Sequence, residues 1–380
     1  MMILSTHVQY FNDQPGFGTG ENIAAFLKKK SIPFVFIKHS LYGDHNSRVE
    51  YVYGNKFEIT QHGSSHLPFI LRSFQDFIIT FSVIKIIDNA QIFIGINCLN
   101  AIIGLVLKKI GMVDKVIFYT AEYSVNRFRN KILNRLYLFM DSYCARNSDE
   151  VWNPSTRIME VRKKSKNNRA KQLFVPNTPS VKKIAKIKFS KMHKLVLVGT
   201  LTRKIVDFDL IFNALQKIVV LHPYITLVII GSGGDIEWVK SRITDYKLSH
   251  NVKLLGYQKH DIVLKSIRKC NLGLAIYSGL ESWTYYGDSM KARDYLACGA
   301  PVIITDVCST ADDIRREKVG YVIKTSSQLY EVINNLCNYN DLYIKLQQNI
   351  QRYNKQISLD NILRKSPLLL TFLTIQKKIK

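Results

Sequence analysis

The sequence predicts an α/β protein of two doubly wound domains with mostly parallel strands, and three observations carry that expectation. Short apolar runs alternate with segments of helical composition, the order that parallel strands and right-handed crossover helices produce. Two of those runs, Met2–Val8 and Lys194–Val198, lead into glycine-containing turns, as the first strand of such a domain does where a ligand approaches backbone. Between them, positions 162–194 hold a dozen Lys and Arg and no acid, a break in composition that separates the two halves. At 380 residues, each half is long enough to bury its own core.

Hydrophobic residues make up 47% and charged residues 22%, which excludes a disordered chain. The formal net charge of +25 implies an anionic partner: a phosphorylated small molecule, a surface of acidic lipids, or nucleic acid. A nucleic-acid binder calls for an aromatic-basic platform or a recognition helix. Neither is found, so no nucleic-acid partner is expected. Cysteines at 98, 144, 270, 298, 308 and 337 form no C-x-x-C pair, and they read as buried thiols of a reducing cytosol. The first residues lack the basic region and long apolar core of a signal peptide. The best apolar run, Ile92–Leu107, is broken by Asn97 and Asn100. A cytoplasmic protein is expected, with association to the inner face of the plasma membrane left open.

In chain order, strand Met2–Val8 is followed by Pro15-Gly16-Phe17-Gly18-Thr19-Gly20 and a helix over Glu21–Lys30. Glu21 occupies the place of the third glycine of the dinucleotide fingerprint, which disfavours NAD. Pro33–Lys38 is a second strand, and positions 44–66 are polar and left without assigned structure. A helix is expected over Leu67–Ile87, strands over Gln91–Asn97 and Lys115–Tyr119, and helix Leu99–Ile110 between them. Glu122 falls just past a strand's carboxyl end, where such sheets place functional groups. It is a candidate general base, or else it charges the start of the next helix, expected over Asn126–Cys144 with Arg127, Arg129, Lys131 and Arg135. Glu150–Ser155 is the last strand and turn of this half.

The second half opens with Lys194–Val198 and the turn at Gly199. Strands follow at Tyr224–Gly231, ending in Ser232-Gly233-Gly234, at Asn251–Gly256 and at Leu272–Tyr277, and Asp261 suits the cap of a helix running to Arg268. The most informative stretch is 288–304. Asp288 or Ser289 can cap a short helix, Gly299 and Pro301 stop it, and Val302–Ile304 form a buried strand. Ser289, Met290 and Lys291 stand at the helix start, and Asp294 lies one turn on, on the same face as Lys291. Free amides and a cation there favour a phosphate, and a carboxylate one turn further can accept hydrogen bonds from vicinal hydroxyls. An exposed Lys–Asp ion pair has the same spacing.

Asp294-Tyr295-Leu296-Ala297-Cys298-Gly299-Ala300-Pro301-Val302-Ile303 resembles the nucleotide-binding helix of GT-B glycosyltransferases of group 1, family 4-like, in the variant with Lys three residues before the acid. The resemblance is continuous from Leu195 to about Val332 and one of pattern over 1–180. It implies two Rossmann-like doubly wound domains facing a central cleft. The first would be acceptor-binding (1–177), followed by a basic linker (178–193), a nucleotide-sugar domain (194–362) and a terminal helix (363–380) packing back on the first domain or serving as a basic membrane foot.

By the same resemblance Lys291 approaches the diphosphate, Asp294 binds the ribose, Tyr257 lies in the loop beside the base, and the loop at Gly18 faces the cleft. Thr200 stands where relatives often carry Arg, and Arg203 and Lys204 are the candidate cations of that loop. Many relatives have a glutamate eight positions before the ribose acid. Here that position is Tyr286, with Asp288 and Glu281 at the wrong spacing, which leaves donor sugar and stereochemistry open. The implied activity moves a sugar from a nucleotide diphosphate sugar to a hydroxyl acceptor, in cell-surface polysaccharide, lipopolysaccharide or glycolipid assembly. The acceptor's attachment to a lipid is left open. No cofactor or metal is expected, and no Asp-x-Asp metal motif is assigned. A sugar-nucleotide epimerase of the same fold is the alternative.

Overall fold

The computed structural model describes residues 1–11, 14–53, 56–63, 68–164, 170–178 and 193–379. The chain divides into two compact units, Met1–Pro176 with Leu359–Lys380, and Asn177–Ser358.

The first unit begins with β1 (Met2–Val8), the short pair β2 (Tyr10–Phe11) and β3 (Gln14–Pro15), and helix α1 (Thr19–Lys29). It continues through β4 (Phe34–Ser40), β5 (Ser47–Tyr53), β6 (Lys56–His62), α2 (Phe69–Ile86), β7 (Ala90–Ile96), α3 (Asn97–Lys109), β8 (Val113–Tyr119), α4 (Lys131–Asn147), β9 (Glu150–Asn153), α5 (Thr156–Lys163) and β10 (Lys171–Phe174). One sheet runs β10-β9-β8-β7-β1-β4-β5-β6. From β10 to β4 every pairing is parallel, and these strands read as apolar runs because helices cover both faces.

Two differences from the sequence reading have physical causes. The polar stretch left unassigned contains β5 and β6, an antiparallel hairpin that extends the sheet beside β4. Its charges are paired, not loop polarity: the Lys38 ammonium on β4 lies 3.1 Å from Glu50 on β5, and Arg48, on the same strand as Glu50, lies 3.2 Å from that carboxylate. Helix α4 starts at Lys131 rather than Asn126, because the Asn130 side chain accepts from the amides of Ile132 and Leu133 and caps it there. Beyond Glu150–Ser155, read from sequence as the last strand and turn of this half, the structure adds β10. The expected linker lies, over 179–192, outside the described residues.

The second unit contains β11 (Lys194–Val198), α6 (Phe208–Leu221), β12 (Thr226–Ile230), α7 (Ile236–Asp245), β13 (Val252–Leu254), α8 (His260–Ile267), β14 (Leu272–Ala275), α9 (Ser282–Tyr286) and α10 (Met290–Ala297). After these come β15 (Val302–Thr305), α11 (Thr310–Glu317), β16 (Gly320–Ile323), α12 (Ser326–Asn338) and α13 (Asn340–Gln356). Its sheet is wholly parallel in the order β13-β12-β11-β14-β15-β16. The strand order reverses direction between β11 and β14, and in open parallel sheets ligands bind outside the carboxyl ends of the strands at such a switch point.

The chain then returns to the first unit with α14 (Leu359–Leu363) and α15 (Pro367–Ile379), so the return starts at Leu359 and not at position 363. Three donors converge on the buried Glu150 carboxylate to fasten it: the Ser366 hydroxyl at 2.7 Å, the Leu368 amide at 3.0 Å and the Trp152 indole at 3.1 Å. Among the described residues no helix is long and apolar enough to cross a membrane.

Candidate nucleotide-binding site

Helix α10 is fixed at the switch point by its own second turn. The Tyr295 hydroxyl accepts the Val198 amide at 2.8 Å and donates to the Leu274 carbonyl at 3.2 Å, bridging β11 and β14. Gly273 makes room for that ring, since a Cβ there would come within 2.2 Å of it. At the other end, Ser289 caps the helix by accepting from the Ala292 amide, and it also accepts the Tyr277 hydroxyl at 2.7 Å. The amides of Met290 and Lys291 donate to no protein acceptor among the described residues, so the positive end of the helix is open.

Lys291 projects from this first turn. Its ammonium lies 4.6 Å from the centre of the Tyr277 ring, and a Cβ on Gly199 would stand 3.0 Å from it. Gly199 (φ +148°) thus lets the turn after β11 approach the lysine. No carboxylate among the described residues pairs with this ammonium, and desolvation lowers its pKa to about 8. One turn on, the buried Asp294 carboxylate lies 3.0 Å from Nε2 of His260, the first residue of α8. Burial raises the Asp294 pKa, and the imidazole opposes that rise. Lys291 and Asp294 therefore do not neutralise each other: one is an unpaired cation, the other a carboxylate held by a histidine.

Asp288, at the wrong spacing for the relatives' glutamate, is engaged within the protein. It is buried, 2.7 Å from the Arg293 guanidinium, and accepts the Thr310 hydroxyl and the Asn177 amide. Arg293 also meets Asp313 at 2.6 Å. This buried network braces the start of α10 and leaves Asp288 no spare capacity for a ligand. Tyr286 is half-buried and edge-on to Tyr285, with ring centres 4.9 Å apart.

The other sequence candidates are placed as follows. Thr200 and Lys204 are exposed in the turn after β11. Arg203 is exposed and turned toward Asp235, at 3.4 Å, and lies 4.9 Å from the Trp238 ring centre. Tyr257 is exposed in the segment between β13 and α8. In the first unit, Gly18 precedes α1 and its amide donates to Glu21 at 2.9 Å. Glu122, exposed after β8, pairs with Arg127 at 2.9 Å.

His260 and Tyr277 were missed by sequence reasoning. A histidine at a helix start carries no signal of which carboxylate it will meet 34 positions away. The sequence reading also passed over Asp207-Phe208-Asp209, which has Asp-x-Asp spacing. The structure uses Asp207 as the cap of α6, accepting the Leu210 amide, and pairs Asp209 with Arg242 at 2.7 Å. Among the described residues no group of three or more His, Cys, Asp or Glu is placed to hold a metal ion.

Residues 180–356 match the family described as glycosyl transferases group 1. Solved structures similar to the chain include a sucrose-phosphate synthase from Thermosynechococcus elongatus, with TM-score 0.68, 14% identity, and coverage of 99% of either chain. Anabaena HepE in complex with UDP gives TM-score 0.65 and 14% identity over 97% of this chain and 99% of that one. WaaG, a glycosyltransferase involved in lipopolysaccharide biosynthesis, gives 0.64 and 15% over 96% and 98%. Among proteins with curated descriptions none matches the sequence. The chain therefore has the GT-B fold of these glycosyltransferases, and within it residues 180–356 match the model of the glycosyl transferases group 1 family.

Proposed function

We propose that the protein transfers a sugar from a nucleoside diphosphate sugar to a hydroxyl acceptor, with the nucleotide held in the second unit. The observation that carries this reading is Lys291, an ammonium without a carboxylate partner among the described residues, beside open helix amides. A desolvated, unpaired cation is costly, and an incoming diphosphate relieves that cost. Asp294, one turn further in, takes the ribose hydroxyls. When the bond between the anomeric carbon and the diphosphate breaks, the electron pair leaves with the diphosphate. Lys291 and the amides of Met290 and Lys291 stabilise that growing charge without reorganising. The acceptor hydroxyl loses its proton as the new glycosidic bond forms, and Glu122 is the base assigned to it in an inverting reaction.

UDP in the HepE structure and lipopolysaccharide biosynthesis in the name of WaaG support a uridine nucleotide and a cell-surface saccharide as the first substrates to try. The reading is tested by thermal shift with UDP, GDP, ADP and their hexose conjugates, followed by transfer to oligosaccharide acceptors. Stabilisation by none of the nucleotides would overturn it. Conversion of the nucleotide sugar without an acceptor would reassign the protein as an epimerase.

A further inference from the structure

Helix α4 turns an unusual face to the outside of the first unit. Tyr137, Asp141, Cys144 and Ala145 face the core. On the opposite side Ile132, Leu136 and Phe139 recur at i, i+4 and i+7, and they are 76%, 52% and 68% exposed. This is no scatter of single apolar residues: Leu133 joins the row, and Val125 and Phe128 stand exposed just before the helix.

The charges around the row all have one sign. Arg129, Lys131 and Arg135 are exposed at and between its apolar positions, and Arg146 is exposed in the last turn. None pairs with a carboxylate among the described residues. From 125 to 147 the one acid is Asp141, which is buried and held by Arg162 at 3.0 Å.

We propose that this face of α4 docks on a membrane surface of anionic lipids, with Ile132, Leu136 and Phe139 entering the headgroup boundary and Arg129, Lys131 and Arg135 resting on the phosphates. Charge decides among the occupants. A second copy would bring an identical basic row against this one, in a chain whose net charge is already +25. Nucleic acid would answer the cations and leave the apolar row in water. An acidic bilayer answers both, which is the logic of an interfacial helix with an apolar centre and basic flanks. The proposal stands independently of the nucleotide reading, because it concerns residues that reading does not use.

The test is co-sedimentation of the full chain with vesicles of phosphatidylcholine alone or with a third of phosphatidylglycerol, at low and high salt. Binding to the acidic vesicles, lost at high salt, is expected. Each cation beside an anionic surface contributes about fivefold to partitioning, so joint replacement of Arg129, Lys131 and Arg135 by Gln should lower it on the order of a hundredfold. Joint replacement of Ile132, Leu136 and Phe139 by Ser should lower it at least ~tenfold at unchanged charge. The replaced side chains are exposed, so melting temperatures should match that of the parent, and a folded variant is the comparison used. Equal binding to neutral vesicles, or undiminished binding of either triple variant, would overturn the proposal. So would a dimer in sedimentation velocity that the Ser variant abolishes, since it would assign the face to a second copy.

Discussion

Replacing Lys291 by Met should move stability and nucleotide affinity in opposite directions. The folded protein lowers the lysine pKa from 10.5 to about 8 by desolvation. Between those values the unfolded chain binds more protons than the folded one, so this group makes stability rise with pH across that window. Below about pH 8 the full penalty is present, on the order of 2–3 kcal/mol once partial solvent screening is allowed for. Lys291→Met keeps an unbranched aliphatic side chain and removes the charge that lies over the Tyr277 ring. At neutral pH the variant should melt several degrees higher, at roughly 2–4 °C per kcal/mol for a unit of this size. The gain should vanish as pH approaches 10.5.

Binding should go the other way. A hydrogen bond to a charged group is worth about 1.5–3 kcal/mol, so nucleoside diphosphate affinity should fall roughly 10- to 150-fold. In the parent protein that affinity should also weaken as pH rises through about 8, where the free ammonium loses its proton. Differential scanning calorimetry from pH 6 to 10 and isothermal titration with UDP read both effects. A variant of unchanged or lower stability with parental affinity would show that Lys291 is an ordinary surface lysine, and the site assignment would fail with it.

Asp294→Ala should weaken nucleotide binding about 10- to 100-fold in a folded protein, and parental affinity by calorimetry would remove the ribose role. Burial raises the Asp294 pKa and His260 opposes it, so His260→Gln should raise it further. Affinity for UDP should then fall at a higher pH than in the parent as the solution is acidified, and superimposable pH profiles would contradict this. Glu122→Gln should slow single-turnover transfer roughly 10²–10⁴-fold with little change in nucleotide binding, and near-normal turnover would rule out its role as base. Asp288→Ala should cost about 3–5 kcal/mol by leaving Arg293 buried with one partner fewer, so urea denaturation should show a large loss. A stable Asp288→Ala protein with weakened donor binding would return Asp288 to the ligand.

What could be read along the chain was whatever depends on neighbours a few residues away. Lys291 and Asp294 share a face because a helix turns in 3.6 residues, and Gly299 and Pro301 end that helix by their own backbone limits. The glycine turns after the two leading strands, and the alternation behind the parallel strands of both sheets, are equally local.

The partner each charge finds is set by the fold. His260 reaches Asp294 only because α8 and α10 pack together, and Asp288 joins the Arg293 network where Thr310 and Asn177, from two distant segments, donate to it. Arg203, a candidate phosphate ligand by its place in the loop, has Asp235 and Trp238 as its neighbours in the fold. The β5–β6 hairpin escaped notice because what neutralises a charge such as Glu50 is Lys38 on the adjacent strand, and pairing across a sheet has no period along the chain. The basic residues of α4 were visible in sequence, but only the buried side of the helix shows which apolar residues remain outside with them. Local backbone preference and spacing are properties of the sequence, whereas burial and the choice of ionic partner belong to distances that exist only after folding.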